Sequence, residues 1–121
     1  MKKIKLFVAV ILAFVFTACG NKDAKNTENG LVVGGMYTSQ NEDGSYGITK
    51  ILALDEFAVH VRMYSNKFDT KPKDVNSKDL NSFIGHAPMA KEGFLLGNPE
   101  LLKVEKVTES ELEGYKYYMR Q

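Results

Sequence analysis

Apolar and polar positions alternate most regularly in the run YGITKILALDEFAVHVRMY, from Tyr46 to Tyr64. A period of two predicts β-strands, because successive side chains point to opposite faces of a sheet. The Asp55-Glu56 pair in the middle predicts a two-residue turn joining them. With that turn Leu54 faces Phe57, Leu52 faces Val59, Lys50 faces Val61 and Ile48 faces Met63. This face is apolar at every position but Lys50 and is the expected core face. The other face pairs Ala53 with Ala58, Ile51 with His60, Thr49 with Arg62 and Gly47 with Tyr64, so that His60, Arg62 and Tyr64 stand together on its solvent side.

Upstream, Leu31, Val32, Val33, Met36 and Tyr37, interrupted by Gly34-Gly35, predict a first strand with a bulge or close backbone crossing at the glycines. The Asn41-Glu42-Asp43-Gly44 turn joins it to Tyr46. Downstream, Ser65 to Ser82 is polar with isolated anchors Phe68, Val75 and Leu80, and predicts a long loop. Phe83 to Pro88 reads as turn-rich, Met89 to Leu96 as one or two helical turns, and Leu101 to Val107 as a strand. Thr108-Glu109-Ser110-Glu111 fits a capping box and predicts a short helical turn to Gly114, after which Tyr115 to Met119 would close the sheet. The sum is a mainly β domain, either a small barrel or a strongly bent antiparallel sheet with one or two short helical turns. Gly35-x-Tyr37 followed by Tyr46-x-Ile48-x-Lys50-Ile51-Leu52 resembles the opening meander of SH3-like and Tudor-like barrels, over about a third of the chain. The Tudor aromatic cage does not map onto it. VHVRMYSNKF and IGHAPMAKEGF resemble segments of small bacterial proteins with no assigned biochemical role, which implies no activity and no site.

The N-terminus follows another pattern. Lys2, Lys3 and Lys5 precede an unbroken apolar run from Leu6 to Phe16 and the small residues Thr17 and Ala18, which predicts a secretory signal peptide over 1–18. The run is far shorter than the ~20 apolar residues that cross a bilayer. Phe16-Thr17-Ala18-Cys19 resembles the bacterial lipobox, with Phe16 in place of the usual Leu. The resemblance implies cleavage before Cys19 and diacylation of its sulfur, an anchor in which each buried CH₂ contributes about 0.8 kcal/mol. Residues 19–30 then form a polar tether with too little apolar surface to order itself, and residues 31–121 a single β-rich domain. Gly20 rather than Asp follows the cysteine. In a Gram-negative host the same resemblance implies lipid anchoring at the outer membrane, facing the periplasm.

Charge and chemistry narrow the picture. The 121 residues carry 16 basic and 15 acidic side chains, and loss of the three N-terminal lysines leaves 13 against 15, a net charge of −2. That gives no electrostatic footprint for nucleic acid. Cys19 is the only cysteine, so no intrachain disulfide can form. With His60 and His86 the only histidines, the spacing of a metal site is missing, and neither a G-x-S-x-G elbow nor a G-x-G-x-x-G loop occurs. The carboxylate pairs Glu42-Asp43, Asp55-Glu56 and Glu109-x-Glu111-x-Glu113 sit in turns or caps, and His86 is expected to bond to backbone. The candidate binding surface is therefore His60, Arg62 and Tyr64, where Arg can take a carboxylate or phosphate bidentately and the rings can stack or hydrogen-bond. The alternative is the plain solvent face of a half-buried sheet. The expectation is a lipid-anchored envelope lipoprotein, not an enzyme and without cofactor or metal. It would act as a binding or inhibitor module for an envelope protein or wall component through that face and the Ser65–Ser82 loop. The alternative role is assembly support in an envelope complex.

Overall fold

The computed structural model describes residues 30–121 and the pair Thr27–Glu28. The expected signal peptide, Cys19 and most of the tether lie outside the described residues. Strand β1 (Thr27–Glu28) pairs antiparallel with β2 (Leu31–Val32) in a short ribbon. The main sheet contains β3 (Gly35–Gln40), β4 (Tyr46–Leu54), β5 (Ala58–Tyr64), β6 (Ser82–Ala90) and β7 (Glu100–Val104), all antiparallel, in the order β6-β5-β4-β3-β7. Two helices complete it, α1 (Lys91–Leu96) and α2 (Glu109–Met119). The domain is mainly β as expected, in the form of an open sheet with β6 and β7 at its edges rather than a closed barrel.

The first hairpin follows its turn chemistry. Gly44 takes φ +92°, and the Asn41 and Ser45 backbones close the loop with a 2.7 Å hydrogen bond. Gly34 is the close crossing expected at the paired glycines. It has φ +89°, and a Cβ there would lie 2.6 Å from the Glu105 carbonyl oxygen. Its N–H donates to the Ile51 carbonyl at 2.7 Å and its own carbonyl accepts from Glu105 N–H at 2.9 Å, so only glycine satisfies both the dihedral and the approach.

The central hairpin departs from the expected register in two places. Asp55 N–H donates to the Ala58 carbonyl at 3.0 Å and Leu54 stands opposite Val59, so the two residues of the turn are Glu56 and Phe57 rather than Asp55 and Glu56. The Asp55 side chain stabilises the shifted turn, its Oδ1 accepting from the N–H groups of Phe57 and Ala58. A bulge between Ile51 and Ala53 shifts the ladder again, placing Ile51 opposite Val61, Lys50 opposite Arg62 and Thr49 opposite Met63. A one-residue slip exchanges the faces of a strand. Ile51, Val59, Val61 and Met63 thus share one face, while Ile48 and Lys50 join His60, Arg62 and Tyr64 on the other.

Both faces are covered, which corrects the expectation that His60, Arg62 and Tyr64 face solvent. On the first, Leu31 and Phe94 of α1 pack on Tyr37, Ile51, Val59 and Val61, with the Phe94 and Tyr37 rings edge to face at 5.5 Å. On the second, Val75, Phe68 and Leu80 from the Ser65–Asn81 segment lie against Met36, Ile48 and Tyr64. The anchors of the long loop are therefore core residues, which is why a polar segment of that length stays folded onto the sheet. The rest of this face lies under α2.

Two further elements differ from expectation. The passage around His86 is not a series of turns but strand β6, paired with β5 from Ala58↔Ala90 to Tyr64↔Ser82. Pro88 is tolerated there because β6 is an edge strand. The C-terminal residues do not close the sheet. The Thr108 capping box forms as expected, but the helix continues through Gly114 to Met119. Among the described residues no helix is long and apolar enough to cross a membrane.

A buried ion pair clamps α2 to the sheet. Lys50 is 1% exposed, and its Nζ donates to Glu111 Oε1 at 3.0 Å, Glu111 Oε2 at 3.2 Å and the Lys106 carbonyl at 3.0 Å. Burial pushes the Glu111 carboxyl up, but the Thr108 N–H and the Lys50 and Arg62 cations outweigh it and hold the group below the usual carboxylate range. Removing one partner strands the other charge, which costs about 3–5 kcal/mol. We expect Glu111→Leu alone to lose stability on that scale in urea titration, and Lys50→Met/Glu111→Leu together to lose less than either single variant; additive losses would show that the pair is not the clamp.

Candidate functional site

The bulge that moves Lys50 to the α2 side also brings His60 there, opposite Ala53 on β4 and Pro88 on β6. His60 is fully buried. Its Nε2 lies 2.8 Å from Asp55 Oδ2 and its Nδ1 lies 2.9 Å from His86 Nε2. The two imidazoles are inclined by only 11° with centroids 5.1 Å apart. That separation is close to the N···N distance plus two ring radii, so the rings meet edge to edge through the hydrogen bond and are not stacked face to face. The carboxylate fixes the order of protons. Asp55 only accepts, so His60 carries its proton on Nε2 and, when neutral, accepts at Nδ1 from His86 Nε2–H. His86 is left with an acceptor at Nδ1.

Asp55, half-exposed in the turn, is pulled down to about 2 by the hydrogen bond from His60 and then by the N–H groups of Ala58 and Phe57. Burial, and secondly the charge His60 carries when protonated, hold the His86 pKa below the usual histidine value. From α2, Tyr115 and Tyr118, three residues apart and so on one helical face, lie over the imidazole pair with centroid distances to His60 of 4.8 and 5.6 Å. Gly114 is what lets the helix come this close. A Cβ at that position would stand 2.9 Å from His86 Cβ.

Beside the pair, β5, β6 and α2 enclose an open groove of about 630 Å³ that includes Arg62, His86, Glu113, Tyr117 and Tyr118 among its walls. Arg62 is half-buried, forms no ion pair within 4 Å among the described residues, and lies over Gly85. His86 Nδ1 forms no hydrogen bond among the described residues and is open to solvent. His86 Nδ1 is thus unengaged where a ligand could reach it, and Arg62, whose charge also acts on Glu111 and the Tyr64 hydroxyl, lines the same groove. Tyr64, the third residue of the expected surface, is buried elsewhere on this face. Its hydroxyl has no hydrogen-bond partner, and burial, then the Glu111 charge, push its pKa up. Of His60, Arg62 and Tyr64, only Arg62 lines the groove.

His86 bonds to His60 rather than to backbone. The roles of Asp55 and of the α2 tyrosines had no signal in the strand pattern. Tyr115 and Tyr118 at helical spacing would have been the clue, had Gly114 not read as a helix end. Cys19 lies outside the described residues. Among those residues no group of three or more His, Cys, Asp or Glu could hold a metal ion, and no hydroxyl hydrogen-bonds His86. The arrangement can therefore orient an imidazole acceptor toward a groove that also holds a guanidinium donor. No family model matches the chain, and neither a curated protein nor a solved structure matches it.

Two outcomes are expected of this geometry. Alanine is the better helix former by about 1 kcal/mol, yet Gly114→Ala should destabilise by about 1–3 kcal/mol through the clash with His86, read as a lower urea midpoint; a stabilised variant would show that α2 does not press on the imidazoles. A group whose folded pKa is depressed contributes stability above its unfolded pKa, and that contribution is lost as pH falls through the folded value. His60, Tyr115 and Tyr118 lie against His86, Asp55 faces it through His60, and Arg62, Glu111 and Glu113 line the same groove. His86→Asn should therefore flatten the fall in stability below about pH 6.5, and an unchanged slope would place the acid sensitivity elsewhere.

Proposed function

We propose that this chain is a lipid-anchored lipoprotein of the bacterial cell envelope, held at the outer membrane facing the periplasm, and a non-catalytic binding or inhibitor module for an envelope protein or wall component. The address rests on the signal-peptide pattern and the resemblance of Phe16-Thr17-Ala18-Cys19 to a lipobox. The observation that carries the binding role is the groove between the sheet and α2, which Arg62 lines and where His86 Nδ1 has no hydrogen bond among the described residues. A guanidinium in a concave site is a common anchor for a partner's oxyanion. A second reading, assembly support, draws on edge strand β7, where Leu101 and Val104 are 43% and 55% exposed, since an exposed edge with apolar side chains can receive another strand.

Cys19→Ser should abolish acylation and release the protein from the membrane fraction, and unchanged fractionation would remove the anchor from this reading. In pull-downs from envelope extract, Arg62→Ala should lose the partner held by the wild type. Retention by Arg62→Ala with loss on Leu101→Lys/Val104→Lys would favour assembly through β7.

A further inference from the structure

We infer that α2 is an acid-released cover: docked at neutral pH it completes the groove with β5 and β6, and on protonation of His86 and Glu111 it leaves while the sheet stays folded. This rests on the binding role proposed above and names the regulation of that site. The two helices are held in different ways. Phe94 fixes α1, being buried in the apolar core. In α2 no residue is buried, and neither core cluster contains one of its side chains. The apolar cover on that face of the sheet is Val75, with Phe68 and Leu80, and β6 has its own ladder with β5. Departure of α2 therefore leaves both apolar clusters covered and His86 in place on its strand.

The contacts that do hold α2 end on groups that titrate. Tyr115 and Tyr118 lie over the His86 ring at 5.8 and 5.2 Å, and Gly114 sits against its Cβ. A proton arriving from the groove lands on His86 Nδ1, because Nε2–H is already donated to His60. It creates a cation under the helix and beside Arg62, offset in part by Glu113 in the same wall, while Asp55 is engaged on the far side of His60. Burial, then His60, lowers the His86 pKa, so the proton favours the state in which the helix no longer covers the ring. Glu111 is the counter-charge of Lys50 at 3.0 Å, with Arg62, Tyr64 and Glu105 in the same field. A proton on Glu111 leaves the buried ammonium with the Lys106 carbonyl alone, a state that water relieves once α2 lifts. Burial raises the Glu111 pKa, but the Thr108 N–H, Lys50 and Arg62 lower it more. Both groups therefore favour docking above their ordinary pKa values. That contribution is lost as pH falls through the folded values, which lie below about 6.5 for His86 and below about 4.3 for Glu111.

The test is native-state amide hydrogen exchange of the ¹⁵N-labelled full chain in detergent micelles, from pH 7 to pH 4. The opening constant of the Leu112 to Tyr118 amides should rise at least about tenfold between pH 7 and pH 5 and again by pH 4, while amides of β4 and β5 change by less than about threefold. His86→Asn should abolish the first rise. Glu111→Gln, whose side chain still suits the capping box, should raise the α2 opening constant at pH 7 at least about tenfold. An α2 opening constant that does not change with pH, α2 and sheet amides that open together at every pH, or a first rise that survives His86→Asn would each overturn the inference. The wild-type pH series reads independently of how well either variant folds. Exchange is measured without a partner, so it stands if the pull-down finds none, and a partner held at pH 7 leaves the binding role standing if α2 stays closed in acid.

Discussion

A lysine with 1% exposure in the middle of a β-sheet is the constraint around which the rest of this structure is arranged. Lys50 occupies the central strand, and its ammonium can be buried only because three acceptor contacts from the C-terminal segment reach it. Burying an unpaired ammonium costs several kcal/mol, a large share of the stability of a domain this size. The path of the chain after β7 is therefore not free. It must bring the Lys106 carbonyl and Glu111 over the sheet, and the Thr108 capping box starts a helix where Glu111 can serve both the cap and the lysine.

That placement of α2 creates the second feature. Once the helix lies over β4 and β6, Gly114 settles against His86, and Tyr115 and Tyr118 lie over the two imidazoles. The polar chain from Asp55 through His60 to His86 crosses from a surface turn, through the interior, to a groove. Each buried nitrogen in it is satisfied, as polar groups out of water must be. Its terminal nitrogen is not. Unlike the Tyr64 hydroxyl, which is buried without a partner, His86 Nδ1 meets solvent, and it does so beside Arg62.

Much of the fold was legible in the residues. Alternation located β3, β4 and β5, the Asp43-Gly44 turn joined the first two, Gly34-Gly35 marked the backbone crossing, and Thr108 with Glu111 marked the start of α2. Register was not legible, for two physical reasons. The Asp55 carboxylate, by accepting two backbone N–H groups, moves the turn on to Glu56 and Phe57, and the bulge at Ile51–Ala53 adds a one-residue shift that no residue type announces. The bulge exchanges the faces of β4 relative to β5. The site was misplaced for the same reason. His60 and Tyr64, expected in solvent, are buried, Arg62 is half-buried at the groove, and the lysine in the expected core face is the residue that holds the cover on. Gly114 misled because glycine ends many helices, whereas here its missing Cβ is used within one. Pro88 misled because it suggested a turn rather than an edge strand.

The pairing of β3 with β7 has a consequence for how the chain acquires its structure. Gly35 meets Val104, and Lys50 meets Glu111 across 61 residues of sequence, so the last fifth of the protein supplies both an edge of the sheet and the counter-charge for its centre. Closing loops of that length is slow relative to forming hairpins. Until the C-terminal segment arrives, β3 has one unsatisfied edge and Lys50 keeps its water. The hairpins can form early, but the native sheet cannot become dry until nearly the whole chain is present, which makes folding a late and concerted event rather than a progressive one from the N-terminus.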